Sequence, residues 1–177
     1  GTPTDRLPWA PRMDLWLIAQ RARGSLPSEL RSANTVDVAR YFGFGCHAVR
    51  GDFTTPRDPR DWALRGFGIE NHADFPFRVE VSGLPVEFVS DGELYRTTIR
   101  TTAGDVTAVL EMTDAMRRDG MSIPYVKKRP IETSADLEAV AQVFEHLEVV
   151  PTPAAYAAFH ARIGGHGLAV AQGPIAA

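Results

Sequence analysis

Between Arg78 and about Met112 apolar residues recur at every second position, and on either side of that stretch the spacing reverts to three and four. Arg78-Val79-Glu80-Val81, Val86-Glu87-Phe88-Val89, Tyr95-Arg96-Thr97-Thr98-Ile99 and Val106-Thr107-Ala108-Val109-Leu110 all alternate. Between them, Ser90-Asp91-Gly92 and Ala103-Gly104-Asp105 carry the chemistry of hairpin turns. A period of two sends successive side chains to opposite faces, so each strand has one wet face. The stretch therefore predicts an antiparallel meander or ribbon, with Ile123 to Val126 as a further strand. Parallel barrel strands, apolar on both faces, are excluded for it.

The flanks read differently. Leu7-Pro8-Trp9-Ala10-Pro11 is extended, because a residue before proline is pushed out of the helical region. Asp14 opens a helix carrying Leu15, Ile18, Ala19 and Ala22, which Gly24 ends. Asn34 caps a second helix that ends at Gly43, and Phe44 to Val49 reads as a short buried strand. Residues 52–77 form a loop rich in proline, arginine and aspartate with weak periodicity. After the ribbon, Thr133 or Ser134 caps a helix through Leu147, and Pro153 begins another that stops at Gly164-Gly165. Leu168 to Ala171 is a last apolar run. Helix followed by buried strand, twice over, predicts α/β units with a parallel sheet, the ribbon being inserted between them.

Composition narrows the function classes. The 177 residues hold 19 Lys and Arg against 22 Asp and Glu, a net charge of −3, and the arginines of 57–65 are interleaved with acids. A nucleic-acid binder normally carries a basic face, so none is expected. The single cysteine, Cys46, excludes a disulfide framework and a multi-thiolate metal site, which places the chain by default in a reducing cytoplasm. No apolar run approaches the ~20 residues of a membrane span. Gly1-Thr2-Pro3-Thr4 has no initiator Met and reads as a trimmed terminus.

Phosphate-binding loops, nucleophile elbows and HExxH or CxxC pairs are missing, so chemistry must come from dispersed residues. His146, His160 and His166 read as solvated. In parallel α/β folds functional groups gather at the carboxyl ends of strands. With Leu7–Ala10 as a first strand, Arg12 and Asp14 emerge at such an end, between Trp9 and Trp16. A guanidinium, a carboxylate and an aromatic wall suit an anionic ligand, with Arg12 and Trp16 binding and Asp14 catalytic. The plainer alternative has Asp14 capping the helix with Arg12 paired to it. His47, on the strand after Cys46, is the second catalytic candidate or else a hydrogen-bonded core histidine. Arg50, just past that strand, holds a carboxylate or pairs with Asp52. Gln172, after Leu168–Ala171, reaches the pocket or satisfies a turn.

Arg6-Leu7-Pro8-Trp9-Ala10-Pro11-Arg12, with Gly24-Ser25-Leu26-Pro27-Ser28-Glu29 after it, resembles the N-terminal segment of the uroporphyrinogen decarboxylase superfamily. Thr101-Thr102-Ala103-Gly104-Asp105 and Pro130-Ile131-Glu132-Thr133-Ser134-Ala135-Asp136-Leu137 are similar to motifs of its methyltransferase-like branch. Leu168 to Ala177, with Gly173-Pro174-Ile175, is similar to a family strand ending in Gly-x-Pro. The resemblance implies a (β/α)8 barrel of the TIM type with its cleft at the carboxyl ends of the strands. Members decarboxylate the acetate arms of uroporphyrinogen III without a cofactor, or move methyl groups to and from corrinoids or thiols, often with zinc. Arg12 matches the family's arginine run, and His47 stands near its second-strand aspartate. The zinc ligands of the methyltransferase branch lie in the family's C-terminal half.

Such barrels take about 250 residues, so residues 1–177 are expected to be an N-terminal half, with 78–112 as a ribbon inserted within it. The expected activity is methyl transfer involving a corrinoid or a small methylated substrate, with uroporphyrinogen III decarboxylation as the alternative. A non-catalytic assembly module built on the ribbon is a third reading. No cofactor is expected on this segment itself, zinc or a corrinoid belonging to the complete enzyme. The expected partners are a small-molecule or tetrapyrrole-like substrate and a C-terminal half, complementary chain or second copy that closes the barrel.

Overall fold

A computed structural model describes residues 11–45, 48–50, 58–121 and 123–171. Helix α1 spans Asp14–Ala22, and a 3-10 turn at Ser28–Leu30 leads into α2, Thr35–Phe42. Asn34 accepts the N–H groups of Val36 and Asp37 while Asp37 accepts that of Asn34, a reciprocal cap that starts α2 at the expected residue. Gly43 ends it at φ 71°, and the Phe44 N–H still donates to the Ala39 carbonyl. Phe44 therefore belongs to the helix end, and strand β1 is shorter than expected, Ala48–Arg50. Leu17, Leu26, Leu30, Ala33 and Val38 form the core between these helices.

Residues 58–76 pack instead of looping. Two 3-10 turns, Pro59–Trp62 and Arg65–Phe67, bury Trp62, Leu64, Phe67 and Ile69. Then follow β2 (Phe77–Val81), β3 (Val86–Ser90), β4 (Leu94–Thr101), β5 (Gly104–Glu111), the short α3 (Asp114–Arg118) and β6 (Tyr125–Lys128). Strands β3 to β6 form one antiparallel sheet in sequence order. The β3–β4 turn is made by Asp91, whose carboxylate accepts the N–H groups of Leu94 and Glu93; those two bonds hold it below the usual carboxylate range.

Strand β2, expected at the head of the same ribbon, pairs elsewhere. Its partner is β7 (Leu147–Pro151), antiparallel, with Val79 opposite Val149. Between β6 and β7 lies α4, Asp136–Glu145. No side chain caps its start, neither that of Thr133 nor that of Ser134: the N–H groups of Asp136 and Leu137 donate to the Thr133 and Ser134 carbonyls, and the Asp136 carboxylate turns back to accept the N–H groups of Glu132 and Thr133 in the loop before it. Ala139, Val140 and Val143 of α4 pack on Ile99, Val106 and Ala108 of the sheet and on Leu64, Phe67, Ile69 and Val79. This is the largest core, and it encloses the segment that shows no period in sequence.

Helix α5 (Pro153–Ile163) and β8 (Leu168–Val170) complete the described chain. β8 runs parallel to β1, in the register Ala48–Leu168, Val49–Ala169, Arg50–Val170. Val36 of α2 meets Phe159 and Ile163 of α5, with Ala169 of β8 against them. The fold is thus mixed α and β, largely antiparallel, with one parallel pair backed by α2 and α5.

One glycine is dictated by a close approach. A Cβ on Gly66 would overlap the Cβ of Ala108 on β5, although the Gly66 backbone is not left-handed. Gly66→Ala is therefore expected to cost about 1–3 kcal/mol by overpacking. The midpoint of urea unfolding measures it. Adding Ala108→Gly should recover part of the loss, and a full-strength midpoint in the single variant would refute the close approach.

Candidate functional site

Arg12 and Asp14 meet at the entrance to α1. Arg12 Nε donates to Asp14 Oδ1 at 2.8 Å and Arg12 Nη2 to Oδ2 at 2.9 Å, a two-pronged pair. These hydrogen bonds, more than the charge attraction, raise the Arg12 guanidinium above its ordinary range. The Arg12 side chain is 56% exposed and that of Asp14 23%. The expected pairing is present, but α1 has no side-chain cap at its start, so Asp14 does not cap the helix.

Trp16, in the first turn of α1, lies edge-on to Phe42 at 6.1 Å between ring centroids. Phe42 in turn stacks on Phe44 at 6.0 Å and 5°, and Tyr41 meets it edge-on at 5.1 Å. Tyr41 and Phe42 are 54% and 51% exposed. The aromatic wall beside Trp16 is thus built from the end of α2, while Trp9, named for it from the sequence, lies outside the described residues. The signal was the run Tyr41-Phe42-Gly43-Phe44, which the left-handed Gly43 folds back so that Phe42 and Phe44 stack.

Of the other candidates, His47 and Gln172 lie outside the described residues, as does Cys46. Arg50 is the last residue of β1, where its backbone pairs with Val170. His160 is exposed, as expected. His146 is exposed too, yet its Nδ1 lies 2.8 Å from the Ser82 carbonyl and ties the end of α4 to the end of β2.

A second polar group lies in the 58–78 segment and carries no sequence signal. Asp61 and His72 are buried. Arg78 Nη2 approaches Asp61 Oδ1 at 2.7 Å, off the line of a well-directed hydrogen bond, so charge rather than geometry holds the pair. The Arg65 guanidinium lies 5.0 Å from the Trp62 ring centre, and Trp62 stacks on Tyr95 at 4.4 Å. Asn71 donates to the Val79 carbonyl and accepts its N–H, both at 2.8 Å. His72 Nε2 stands 3.8 Å from Glu70 Oε2, with Phe75 against its ring at 4.5 Å. Asp61, Asn71 and His72 are buried while Glu70 and Arg78 keep part of their side chains exposed, and the arrangement braces β2.

At Asp58–Arg60 a second two-pronged pair occurs, with Nη2–Oδ2 2.6 Å. Bonds from the Arg60 guanidinium, then from its backbone N–H, hold Asp58 down at about 2. Among the described residues no three His, Cys, Asp or Glu side chains gather as a metal site, and no described helix is long and apolar enough to cross a membrane. Comparison with models of protein families, with curated proteins and with solved structures finds no match.

Proposed function

We propose that the chain is the N-terminal half of an enzyme of the uroporphyrinogen decarboxylase superfamily, built on a (β/α)8 barrel, and that its reaction is methyl transfer involving a corrinoid or a small methylated substrate. The observation that carries the reading is the parallel pair β1–β8, each strand preceded by a helix and the two helices packed together through Val36, Phe159 and Ile163. Parallel strands joined by helical crossovers make up barrels and doubly wound sheets, and their functional groups collect at the carboxyl ends. The order of motifs quoted above, from Arg6–Arg12 to Gly173-Pro174-Ile175, supports the first of these.

In this reading Arg12 grips an anionic end of the substrate, and Trp16, with Phe42 and Phe44, supplies an aromatic wall. Asp14 and His47 handle protons, while Arg50 and Gln172 contribute further substrate contacts. In the rest of the enzyme a corrinoid would carry the methyl group, and a zinc ion would hold a thiol acceptor as its thiolate. The reading also places the protein in the cytoplasm, in keeping with a lone cysteine.

The test is an assay of the protein that contains this chain, with cob(I)alamin and simple methylated donors in one arm and uroporphyrinogen III in the other. Corrinoid methylation that falls with Arg12→Ala is the expected result. Losing a charge-assisted pair typically weakens anion binding by about 1.5–3 kcal/mol. Corrinoid-free turnover of uroporphyrinogen would select decarboxylation instead. Inactivity in both arms, with self-association that depends on residues 78–112, would overturn the enzymatic reading.

A further inference from the structure

We infer that Asp14 is a built-in occupant of the Arg12 anion site, filling the guanidinium fork until a carboxylate of the substrate displaces it. The inference rests on the reading of Arg12 as the residue that grips an anion, and adds how that grip is regulated. Arg12 presents Nε and Nη2 side by side, the edge of a guanidinium that matches a carboxylate with two parallel bonds. Asp14 takes both, at 2.8 and 2.9 Å. It is the geometry an external carboxylate would adopt.

A pair with the same spacing elsewhere in the chain shows what is particular about this one. At Asp58–Arg60 the carboxylate also accepts the Arg60 backbone N–H at 2.9 Å and so caps the turn Pro59–Trp62. That aspartate has work in the fold whatever the guanidinium does. Asp14 has no such second bond: among the described residues its carboxylate accepts only from Arg12, and α1 begins without a side-chain cap. Its remaining contribution is a negative charge in the first turn of the helix, which does not require the fork. The Arg12 side chain is also the more exposed of the two, so an incoming anion can reach the guanidinium.

The expected strength of the latch suits exchange. An exposed ion pair contributes at most about 1 kcal/mol, which corresponds to about fivefold in a competing affinity. That is enough to discourage stray anions and too little to exclude a ligand that also stacks on the aromatic wall. On displacement one charge-assisted pair breaks and another forms, with no covalent change. Exchange also frees the Asp14 carboxylate when the substrate is seated and not before.

The experiment follows the backbone amide resonances of residues 12–18 of 15N-labelled protein during titration with glutarate. In Asp14→Asn, glutarate is expected to bind about three- to fivefold more tightly than in the unaltered protein, whereas Asp58→Asn leaves the affinity unchanged and Arg12→Gln abolishes the response. Equal or weaker binding in Asp14→Asn, with the response still lost in Arg12→Gln, would overturn self-occupation and leave Arg12 as an anion receptor. A response that survives Arg12→Gln, or no response in the unaltered protein and Asp14→Asn alike, would overturn both. Matching thermal melts of Asp14→Asn and the unaltered protein establish that the comparison is between folded forms.

Discussion

Asn71→Ala is expected to remove about 2–5 kcal/mol of stability, because it orphans two buried backbone groups at once and each unsatisfied group costs about 1–3 kcal/mol. The Asn71 amide donates to the Val79 carbonyl and accepts the Val79 N–H, each at 2.8 Å. Val79 is 2% exposed, so water cannot take over either bond. On its other side β2 has only β7, and the Asn71 side chain does for that free edge what a neighbouring strand would do. The urea midpoint of the purified variant measures the loss. Asn71→Asp should fail to rescue it at neutral pH, since it buries a charge and loses the donor. Its stability should recover as pH falls, because a protonated carboxyl can again donate, and a folded state that favours protonation gains as protons become available. A cost below about 0.5 kcal/mol for Asn71→Ala, the range of ordinary surface changes, would refute this role.

Arg78→Met is expected to cost about 3–5 kcal/mol, the penalty for leaving a buried charge without its partner. Asp61 is 3% exposed and Arg78 29%. The asymmetry makes the prediction specific. Removing the arginine strands a carboxylate in the interior, while Asp61→Asn leaves a guanidinium that can turn toward water, so the second change should be clearly the milder. The double change Arg78→Met with Asp61→Leu should restore much of the loss, since apolar replacement of a buried pair is often neutral. Equal losses in the two single variants, read from urea unfolding, would show that the pair is held by packing and not by charge.

Both sites lie in or against residues 58–77, the part of the chain least legible beforehand. Its prolines, arginines and aspartates carry no two- or four-residue period, and in the fold it is enclosed by α4 and the sheet. A segment that turns every few residues presents a different face at each turn, so burial leaves no periodic trace. The alternating stretch was legible for the opposite reason: Tyr95, Thr97 and Ile99 must face one way along β4, as Val106, Ala108 and Leu110 do along β5. Among the candidate site residues, the Arg12–Asp14 pair could be anticipated from spacing alone. The run Tyr41-Phe42-Gly43-Phe44 marks clustered rings at the end of α2, but not that Trp16 meets them, which depends on how α1 and α2 lie across the Leu17–Leu30–Val38 core.

By itself the sequence determined what is local. Asn34 and Gly43 bound α2, Asp91 makes its turn, and the change of period separates strands from helices, since capping, turn geometry and side-chain alternation act within a few residues. The two helix-then-strand units also pointed to a parallel sheet, which β1 and β8 form, but tertiary structure alone decided their register and the pairing of β2 with β7 and not β3. Such partners are selected by the fit of surfaces that exist only after α4 and α5 have packed. An edge strand carries no mark of its partner beyond hydrogen-bonding groups that any strand could satisfy.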